Sequence, residues 1–166
     1  MAITSRTIQG FIAKDNDAIT EVYMEYKNLL YFVIANYVDN QEDCNDVLST
    51  VFIKAIEHRN DLKNSSSLKT FLCSIAKNEA INFSKKNRLV PSSDVIEEVY
   101  GEKDEPDSVL TMLEPLLNKK EIIVLYYKAV FDFTWDEITM ETGIPTSTAR
   151  LIYKQAKEKM RKELRR

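Results

Sequence analysis

Residues 91–107 constrain the fold most, because they divide the chain. Their sequence, PSSDVIEEVYGEKDEPD, holds seven acidic residues against one lysine, and two of the four prolines in the chain. A segment this polar repels itself and cannot bury enough apolar surface to fold alone. Without it the rest of the 166-residue chain is net positive, although the whole chain has a formal charge of −3. We therefore predict two small domains, 1–89 and 108–166, joined by an acidic flexible linker at 90–107.

Helical periodicity dominates the part before this linker. The chain has only three glycines, and apolar residues recur at steps of three and four along 18–38, 39–58 and 68–88, as on the buried face of an amphipathic helix. The inward residues are predicted to be Ile19, Val22, Tyr23, Tyr26, Leu29, Leu30, Val33, Ile34, Tyr37, Cys44, Val47, Leu48, Val51, Ala55, Ile56, Leu68, Phe71, Leu72, Ile75, Ala76, Ala80 and Phe83.

Local signals indicate where these helices begin and end. Asp39 and Glu42 have the spacing of a capping box that would open the second helix, and the polar stretch 59–67 is interpreted as a loop. Residues 1–16 could supply a short extra helix. Because three long amphipathic helices can bury a common core, 1–89 is predicted to be a helical bundle.

Two capping boxes open helices after the linker. Asn118 with Glu121 precedes the apolar run 122–130, and Thr134 with Glu137 opens the next helix. In each pair the two side chains satisfy backbone amides that have no partner at the start of a helix. The second domain is therefore also predicted to be helical.

A glycine separates the last two predicted helices. Gly143 stands where a helix ends in a left-handed residue, and a final helix is predicted over 146–165. Two helices joined by a short turn that contains glycine have the layout of a helix-turn-helix, in which Trp135 is expected to anchor the core. No strand pattern occurs in the sequence. The predicted fold class is all-α.

The sequence lacks the motifs that carry common chemistries. His58 is the only histidine, so neither a pair of histidine ligands for zinc nor a histidine-activated nucleophile is available. There is no GxxxxGK[ST] phosphate loop and no GxGxxG, and the carboxylates are scattered along predicted outer faces. We expect no catalytic residue, no metal, no cofactor and no small-molecule substrate, hence a protein that is not an enzyme.

Nothing in the sequence directs the chain into a membrane. No apolar run approaches the roughly 18–20 residues that span a bilayer, and the first residues lack a basic stretch followed by an apolar core. Cys44 and Cys73 form no CxxC motif and are expected to be buried thiols. We expect a cytoplasmic protein without direct membrane insertion.

The outer stripe of the last helix is almost wholly cationic. Its members recur at steps of three and four, and from Thr146 onward eight lysines and arginines stand against two glutamates. Such a face suits the phosphates that line a DNA groove. The alternative is a solvated helical hairpin, since cations near a helix C-terminus are favourable in any case. The stripe consists of Ser147, Arg150, Lys154, Lys157 and Arg161.

A second polar and basic face is predicted on the helix over 68–88, which follows a loop rich in small hydrogen-bonding residues at 60–67. Amides can read base edges and lysines can hold phosphates. The loop could bind unstacked bases if apolar walls lie nearby, although a serine-rich loop is commonly just a connection.

Several motifs, taken in chain order, resemble the extracytoplasmic-function (ECF) sigma factors of bacterial RNA polymerase. DVLSTVFIK at 46–54 resembles the DLVQEVF helix of that family, and LKTFLCSIAKN at 68–78, followed by AIN, resembles its FxxWLxxIAxN…AID segment. TWDEI at 134–138 and GIPTSTAR at 143–150 resemble its promoter-reading helix-turn-helix. The resemblance implies a region 2-like bundle in the first domain and a region 4-like domain after the linker.

The resemblance also implies three contact surfaces. Residues that bind the minus-ten element, where DNA is melted, would be Lys63, Asn64, Ser65, Lys69, Lys77, Asn78, Asn82, Lys85, Lys86 and Arg88. Residues that bind the minus-thirty-five element would be Thr146, Ser147, Thr148, Arg150, Leu151, Lys154, Gln155 and Lys157. Residues that dock on the polymerase core would be Asp46, Ser49, Thr50 and Ile53.

The chain departs from the family pattern at these surfaces. Ser49 and Thr50 replace a Gln-Glu pair, Asn82 replaces an aspartate, and Ile152 and Gln155 replace two arginines on the recognition helix. The loss of two cations is expected to weaken attraction to phosphates and to flatten the dependence of binding on salt. Gln155 could instead read an adenine.

The sequence therefore predicts a sigma factor that binds the RNA polymerase core and directs promoter recognition, DNA melting and transcription initiation. An alternative is a two-module DNA-binding transcription regulator that does not engage polymerase, which the Ser49-Thr50 departure motivates. A third reading is a helical interaction protein whose basic faces bind protein partners. The expected partners are the polymerase core, promoter DNA in double-stranded and melted form, and an anti-sigma factor.

Overall fold

A computed structural model describes residues 3–64, 67–87 and 113–165, and every regular element in these ranges is helical. The all-α prediction is confirmed. The chain divides into two compact units, Met1–Gly101 and Glu102–Arg166. The predicted linker at 90–107 lies outside the described residues. Within those residues no helix is long and apolar enough to cross a bilayer.

The described residues of the first unit form four α-helices and one 3-10 helix. They are α1 (Ser5–Ile12), α2 (Asn16–Ala35), α3 (Gln41–Glu57), the 3-10 helix Arg59–Asn64 and α4 (Leu68–Asn87). The three long helices α2, α3 and α4 pack against one another, and α1 packs against α2 and the 3-10 helix. The extra helix expected near the N-terminus is thus α1, and the stretch interpreted as a loop contains a 3-10 helix.

Side-chain caps begin the first three helices. The side-chain oxygens of Thr4, Asp15 and Asn40 accept hydrogen bonds from backbone amides in the first turns of α1, α2 and α3. The predicted Asp39–Glu42 capping box is wrong, because α3 starts one residue later and Asn40 caps it by accepting from the amides of Glu42 and Asp43.

The core of the first unit follows the predicted stripes with a few exceptions. Tyr23 is 41% exposed, because its ring packs on the outer side of Phe52 with 4.8 Å between ring centroids. The other predicted residues that are not buried are half-buried at the edges of the helix contacts. The predicted inward residues that the structure buries are Val22, Leu29, Leu30, Val33, Ile34, Cys44, Val47, Leu48, Val51, Ala55, Leu68, Leu72, Ala76 and Ala80.

Both cysteines are buried and neither forms a disulfide, as expected. The Cys44 thiol donates a hydrogen bond to the Val38 carbonyl at 3.3 Å, and burial raises the pKa of this thiol to about 11. The reactive form of cysteine is the thiolate. Cys44 is therefore a packing residue at neutral pH.

The second unit contains α5 (Lys119–Leu125), a π-helical segment (Tyr126–Val130), α6 (Trp135–Thr142) and α7 (Thr146–Leu164). Both predicted capping boxes, at the starts of α5 and α6, are present. Gly143 ends α6 with φ of +72°, in the left-handed region. The helix-turn-helix layout of α6 and α7 is therefore built as the sequence predicts.

A small core holds the second unit together. Phe133, Ile138, Val124, Ala149 and Ala156 are almost completely buried, and α7 packs against both α5 and α6. The two alanines on α7 let its backbone approach the neighbouring helices closely. The inner side of α7 is consequently committed to packing, which leaves its other side to solvent.

Candidate nucleic-acid interface

The outer side of α7 exposes the predicted cationic stripe. Arg150, Lys154, Lys157 and Arg161 are all exposed, as is Ser147 at the start of the helix. Because residues three and four apart are neighbours on a helix surface, these side chains form one continuous face. The excess of positive charge lies in the part of the chain after the predicted linker, since 108–166 holds eleven lysines and arginines against eight aspartates and glutamates, whereas 1–90 holds eleven of each.

The exposed face of α7 also carries side chains that could touch bases. Thr148 and Gln155 are exposed, and Leu151 is an apolar side chain with 54% of its surface open to solvent. Thr146 differs from the other predicted contacts of the minus-thirty-five element. It is half-buried, and its hydroxyl lies 3.1 Å from that of Thr139 on α6, so it joins the two helices.

An aromatic and cationic cluster flanks this face. The Nζ atom of Lys128 lies 5.2 Å from the centroid of the Trp135 ring, and the Cζ atom of Arg150 lies 5.6 Å from it. The ring of Tyr153 meets that of Trp135 edge-on at 5.6 Å, and Lys157 Nζ lies 5.3 Å from the Tyr153 ring. The expectation that Trp135 is a core anchor is therefore wrong, because the side chain is half-buried and holds cations at the surface.

Sequence reasoning missed Lys128 as a member of this cluster. Lys128 lies in the π-helical segment, and its ammonium group donates to the Phe133 carbonyl at 2.9 Å. The turn that follows this segment contains Asp132, whose φ of +52° is left-handed. The Asp-x-x-Trp pattern at 132–135 does not predict that Lys128 lies beside the Trp135 ring. The position of Lys128 depends on the π-helical segment, which has one residue more per turn than the usual hydrogen-bonding pattern of an α-helix.

A second candidate face lies on α4 in the first unit. Asn78, Asn82 and Lys85 are exposed and spaced by four and three, which places them on one side of the helix, with Lys86 exposed beside them. Lys69 and Lys77 are half-buried, and at 3.6 residues per turn Lys69 falls on the side of α4 opposite Asn78 while Lys77 falls about a quarter turn away from it. The structure thus groups two amides with two lysines.

Two of the remaining predicted minus-ten residues lie in the 3-10 helix, and two lie outside the described residues. Lys63 and Asn64 belong to the 3-10 helix. Ser65 and Arg88 lie outside the described residues. The start of α4 is capped by Ser67, whose hydroxyl accepts from the Thr70 amide at 3.1 Å, so the polar residues before α4 include a helix cap.

A salt bridge fixes α4 relative to α3. Lys54 Nζ lies 2.6 Å from the Glu79 carboxylate, and the Glu79 side chain is largely buried between the helices. The contact adds to the packing of α3 against α4, because each partner lies on the side of its helix that faces the other.

The outer face of α3 contains the predicted docking residues. Asp46, Ser49, Thr50 and Ile53 are all exposed and occupy one side of the helix. The hydroxyl of Ser49 donates to the Asn45 carbonyl at 3.0 Å, and that of Thr50 donates to the Asp46 carbonyl at 3.1 Å. Ile53 is 59% exposed, which makes it the large apolar side chain of this face.

The exposed side chains on these surfaces are of kinds that bind other molecules. Among the described residues no three histidine, cysteine or carboxylate side chains come together in an arrangement that could hold a metal ion. The exposed groups are amides, hydroxyls, cations and single apolar side chains, which are the groups that contact nucleic acids and proteins.

Residues 22–90 match the family described as Sigma-70 region 2. The matched segment includes most of α2, all of α3 and all of α4, and it therefore contains both the outer face of α3 and the candidate face of α4. No curated protein sequence matches the chain at a significant level.

The fold is similar to that of solved ECF sigma factors. CnrH, solved in complex with the cytosolic domain of CnrY, is 14% identical and superposes with a TM-score of 0.57 over 95% of this chain and 94% of its own. The sigma factor RpoE of Bartonella quintana, solved with the anti-sigma factor NepR, is 15% identical, with a TM-score of 0.57 over 88% of this chain and 96% of its own. The predicted resemblance to ECF sigma factors is confirmed by the family match over residues 22–90 and by this shared fold.

Proposed function

We propose that this chain is a sigma factor of the ECF type, which binds the core of bacterial RNA polymerase and directs promoter recognition, DNA melting and transcription initiation. One observation carries the proposal. A sigma-70 region 2 domain is followed in the same chain by a helix-turn-helix whose second helix has a cationic outer face. Such a protein selects DNA for a polymerase and performs no bond chemistry itself.

The proposed reader of the minus-thirty-five element is α7. Its exposed cations suit the phosphates on either side of a major groove, where they would fix the helix in register. Gln155 offers an amide that can pair with adenine, and Leu151 offers an apolar surface for a thymine methyl group. Contacts from cations would supply affinity, and these two side chains would supply sequence preference.

The proposed reader of the melted minus-ten element is the α4 face. Opening base pairs costs about a few kcal/mol, and a site that holds an extruded base offsets this cost. Asn78 and Asn82 lie one turn apart and can accept and donate hydrogen bonds to base edges, whereas Lys85 and Lys86 can hold the strand by its phosphates. The polar residues at 60–67 precede this face in the chain.

The proposed docking surface for the polymerase core is the α3 face. The hydroxyls of Ser49 and Thr50 already donate hydrogen bonds within their own helix. Ile53 and Asp46 are therefore the side chains of this face that we expect to form new contacts with a partner. An apolar side chain surrounded by polar ones is the usual arrangement at the centre of a protein interface.

We further propose an anti-sigma factor as a third partner and the cytoplasm as the location. CnrH was solved with the cytosolic domain of CnrY, and RpoE was solved with the anti-sigma factor NepR. A protein that covered the α3 face or the α7 face of this chain would block its proposed activity. The cytoplasm follows from the proposed partner, since bacterial RNA polymerase acts there.

The test combines the full-length chain with bacterial core polymerase and a library of promoter-like duplexes with randomised upstream and minus-ten segments. Sequencing the run-off transcripts then identifies the selected templates. Transcripts that share both elements, and that core polymerase alone does not make, are the expected result.

Two other outcomes would contradict the proposal in different ways. Retention of specific DNA without any association with polymerase would indicate the two-module regulator, which the internally bonded hydroxyls on α3 favour. If the chain yields no transcripts and retains no DNA, the result would indicate a helical interaction protein.

A further inference from the structure

The Trp135 ring gathers cations from two different elements. Lys128 comes from the π-helical segment and Arg150 from α7, yet both charged groups lie within 6 Å of the same ring centroid. A cation at this distance from an indole face is attracted by the electrons of the ring. Trp135 therefore links a cation of the recognition helix to one that lies outside the helix-turn-helix.

The ring that holds these cations is itself fixed. Trp135 is the first residue of α6, directly after the N-cap Thr134, whose hydroxyl and whose capping partner Glu137 both bond the backbone of this turn. Tyr153 of α7 packs edge-on against the ring with 5.6 Å between centroids. Backbone capping and ring packing together leave the indole little freedom.

We propose that Trp135 is a positioning residue for DNA binding, which pre-orders Arg150 and Lys128 as a pair of phosphate-binding cations. The inference rests on the proposed function of α7. Long cationic side chains lose rotamer freedom when they bind, and this loss opposes binding. A side chain already held on an aromatic ring has given up part of that freedom, and the planar guanidinium of Arg150 carries its N–H donors along its edge, where they can still bond to a phosphate.

Lys128 extends the proposed DNA surface beyond α7. Its ammonium is restrained at two points, by the ring and by the Phe133 carbonyl at 2.9 Å, and an ammonium group has three donors. One donor is used by the carbonyl, so the others can bind a phosphate. The contact would lie beside the groove that α7 enters.

The test uses the holoenzyme, which is bacterial core polymerase with this chain bound. It measures the binding of the holoenzyme to a labelled duplex that the wild-type holoenzyme has selected from a randomised pool. Trp135→Leu is expected to weaken binding about five-fold, as removal of one or two exposed cation–π interactions implies, and Trp135→Phe, which keeps an aromatic ring, is expected to weaken it less. Met140→Ala, which removes an exposed apolar side chain from the same helix, is the control and is expected to bind as wild type does.

Two readouts separate positioning from a merely structural role. Trp135→Leu leaves both cations in the chain, so the slope of log affinity against log salt is expected to stay unchanged. In a chain that already carries Arg150→Ala, the Trp135→Leu change is expected to weaken binding by a smaller factor, because one of the two cations that the Trp135 ring would position is gone.

The outcomes distinguish this inference from the proposed function. If the wild-type holoenzyme selects no duplex, the proposed function and this inference both fail. If it selects one, but Trp135→Leu binds normally or its effect is equal with and without Arg150, only the inference is overturned. If circular dichroism shows that Trp135→Leu does not fold, the effect of Trp135→Phe on binding is compared in the chain with Arg150 and in the chain with Arg150→Ala. Equal effects of Trp135→Phe in the two chains would overturn the inference.

Discussion

Glu121 and Lys159 form a salt bridge of 2.8 Å between α5 and α7. The Glu121 residue is 4% exposed, whereas the Lys159 side chain is 47% exposed. The same carboxylate accepts a hydrogen bond from the backbone amide of Asn118 at 2.9 Å. One buried side chain therefore caps α5 and ties it to the helix that carries the proposed DNA contacts.

The charge of this carboxylate is balanced by its partners. Burial alone would raise the pKa of Glu121, but hydrogen bonds from Lys159 and from the Asn118 amide, with the charge of Lys159, outweigh it and hold the pKa below its usual value. Glu121 is consequently ionised at neutral pH and stabilises the folded second unit.

Glu121→Gln is expected to lower the free energy of unfolding of the second unit by about 1–2 kcal/mol, less than for breaking a fully buried pair because Lys159 can be solvated. Glutamine can still complete the capping box, so the decrease reports the ion pair. Trp135 is the only tryptophan in the chain and lies in this unit, so its fluorescence during urea unfolding measures the effect. Glu114→Gln, an exposed carboxyl of the same unit, is the control, and equal stability of the two variants would contradict the prediction.

The contribution of Glu121 is expected to depend on pH in a defined direction. Because its pKa is lower in the folded state than in the unfolded state, its stabilising effect is complete above the ordinary glutamate pKa of about 4.3 and decreases as the pH falls through the folded value. The stability difference between wild type and Glu121→Gln is therefore expected to be constant near neutrality and to shrink in acid. Urea unfolding at several pH values measures it, and a difference that grows in acid would show that the sign is wrong.

The sequence predicted the local features of this region and missed its tertiary ones. The Asn118–Glu121 capping box could be read from spacing, since both residues belong to one helical turn. The pairing with Lys159 could not, because the partners are 38 residues apart and Lys159 is one of several lysines on α7. The same limit explains Trp135, whose surface role depends on where the π-helical segment brings Lys128.

The periodicity of apolar residues also predicted the helices reliably, but it was less reliable for residues at the edges of their buried faces. It predicted the three long helices of the first unit and most of their buried residues, because an apolar stripe reports the buried side of a helix directly. It placed Tyr23 inside, whereas the residue lies at the rim on Phe52. It also treated Lys69 and Lys77 as part of one basic face of α4, although burial separates them from Asn78 and Asn82.

Gly10→Ala is expected to destabilise the first unit, because α1 and α2 approach closely at this residue. A Cβ atom on residue 10 would lie 2.7 Å from the Cβ of Ala18, so one of the helices must shift. Overpacking of this kind costs about 1–3 kcal/mol, from which the better helix propensity of alanine recovers up to about 1 kcal/mol. Ala18→Gly in the same chain is expected to relieve the clash, so a double-mutant cycle followed by circular dichroism should give a favourable coupling between the two changes. Additive effects would contradict the close contact.

Arg150→Ala combined with Lys154→Ala is expected to weaken holoenzyme binding to a selected duplex and to reduce its salt slope by about two, one for each cation that no longer binds a phosphate. Both side chains lie on the exposed face of α7. Lys119→Ala with Lys120→Ala removes the same number of exposed cations from α5 and is the matched control, for which an unchanged slope is expected. A slope that changes equally in both variants would mean that net charge, not the α7 face, governs binding.

Ile53→Asp is expected to weaken association of the chain with core polymerase by about ten-fold or more, because it puts a charge at the apolar centre of the proposed docking face. Ile53 is exposed, so the change is expected to leave stability nearly unaltered, which circular dichroism during thermal unfolding checks. Affinity for core polymerase is measured with a fluorescent label on the full chain.

The neighbouring hydroxyls supply the control for this docking face. Ser49→Ala and Thr50→Val remove groups that donate within α3 itself, so each is expected to change polymerase affinity by less than about two-fold, since neither hydroxyl is expected to bond to the partner. If the hydroxyl variants weaken binding and Ile53→Asp does not, the hydroxyls must exchange their internal bonds for bonds to polymerase, and the apolar centre of the interface lies elsewhere on the first unit.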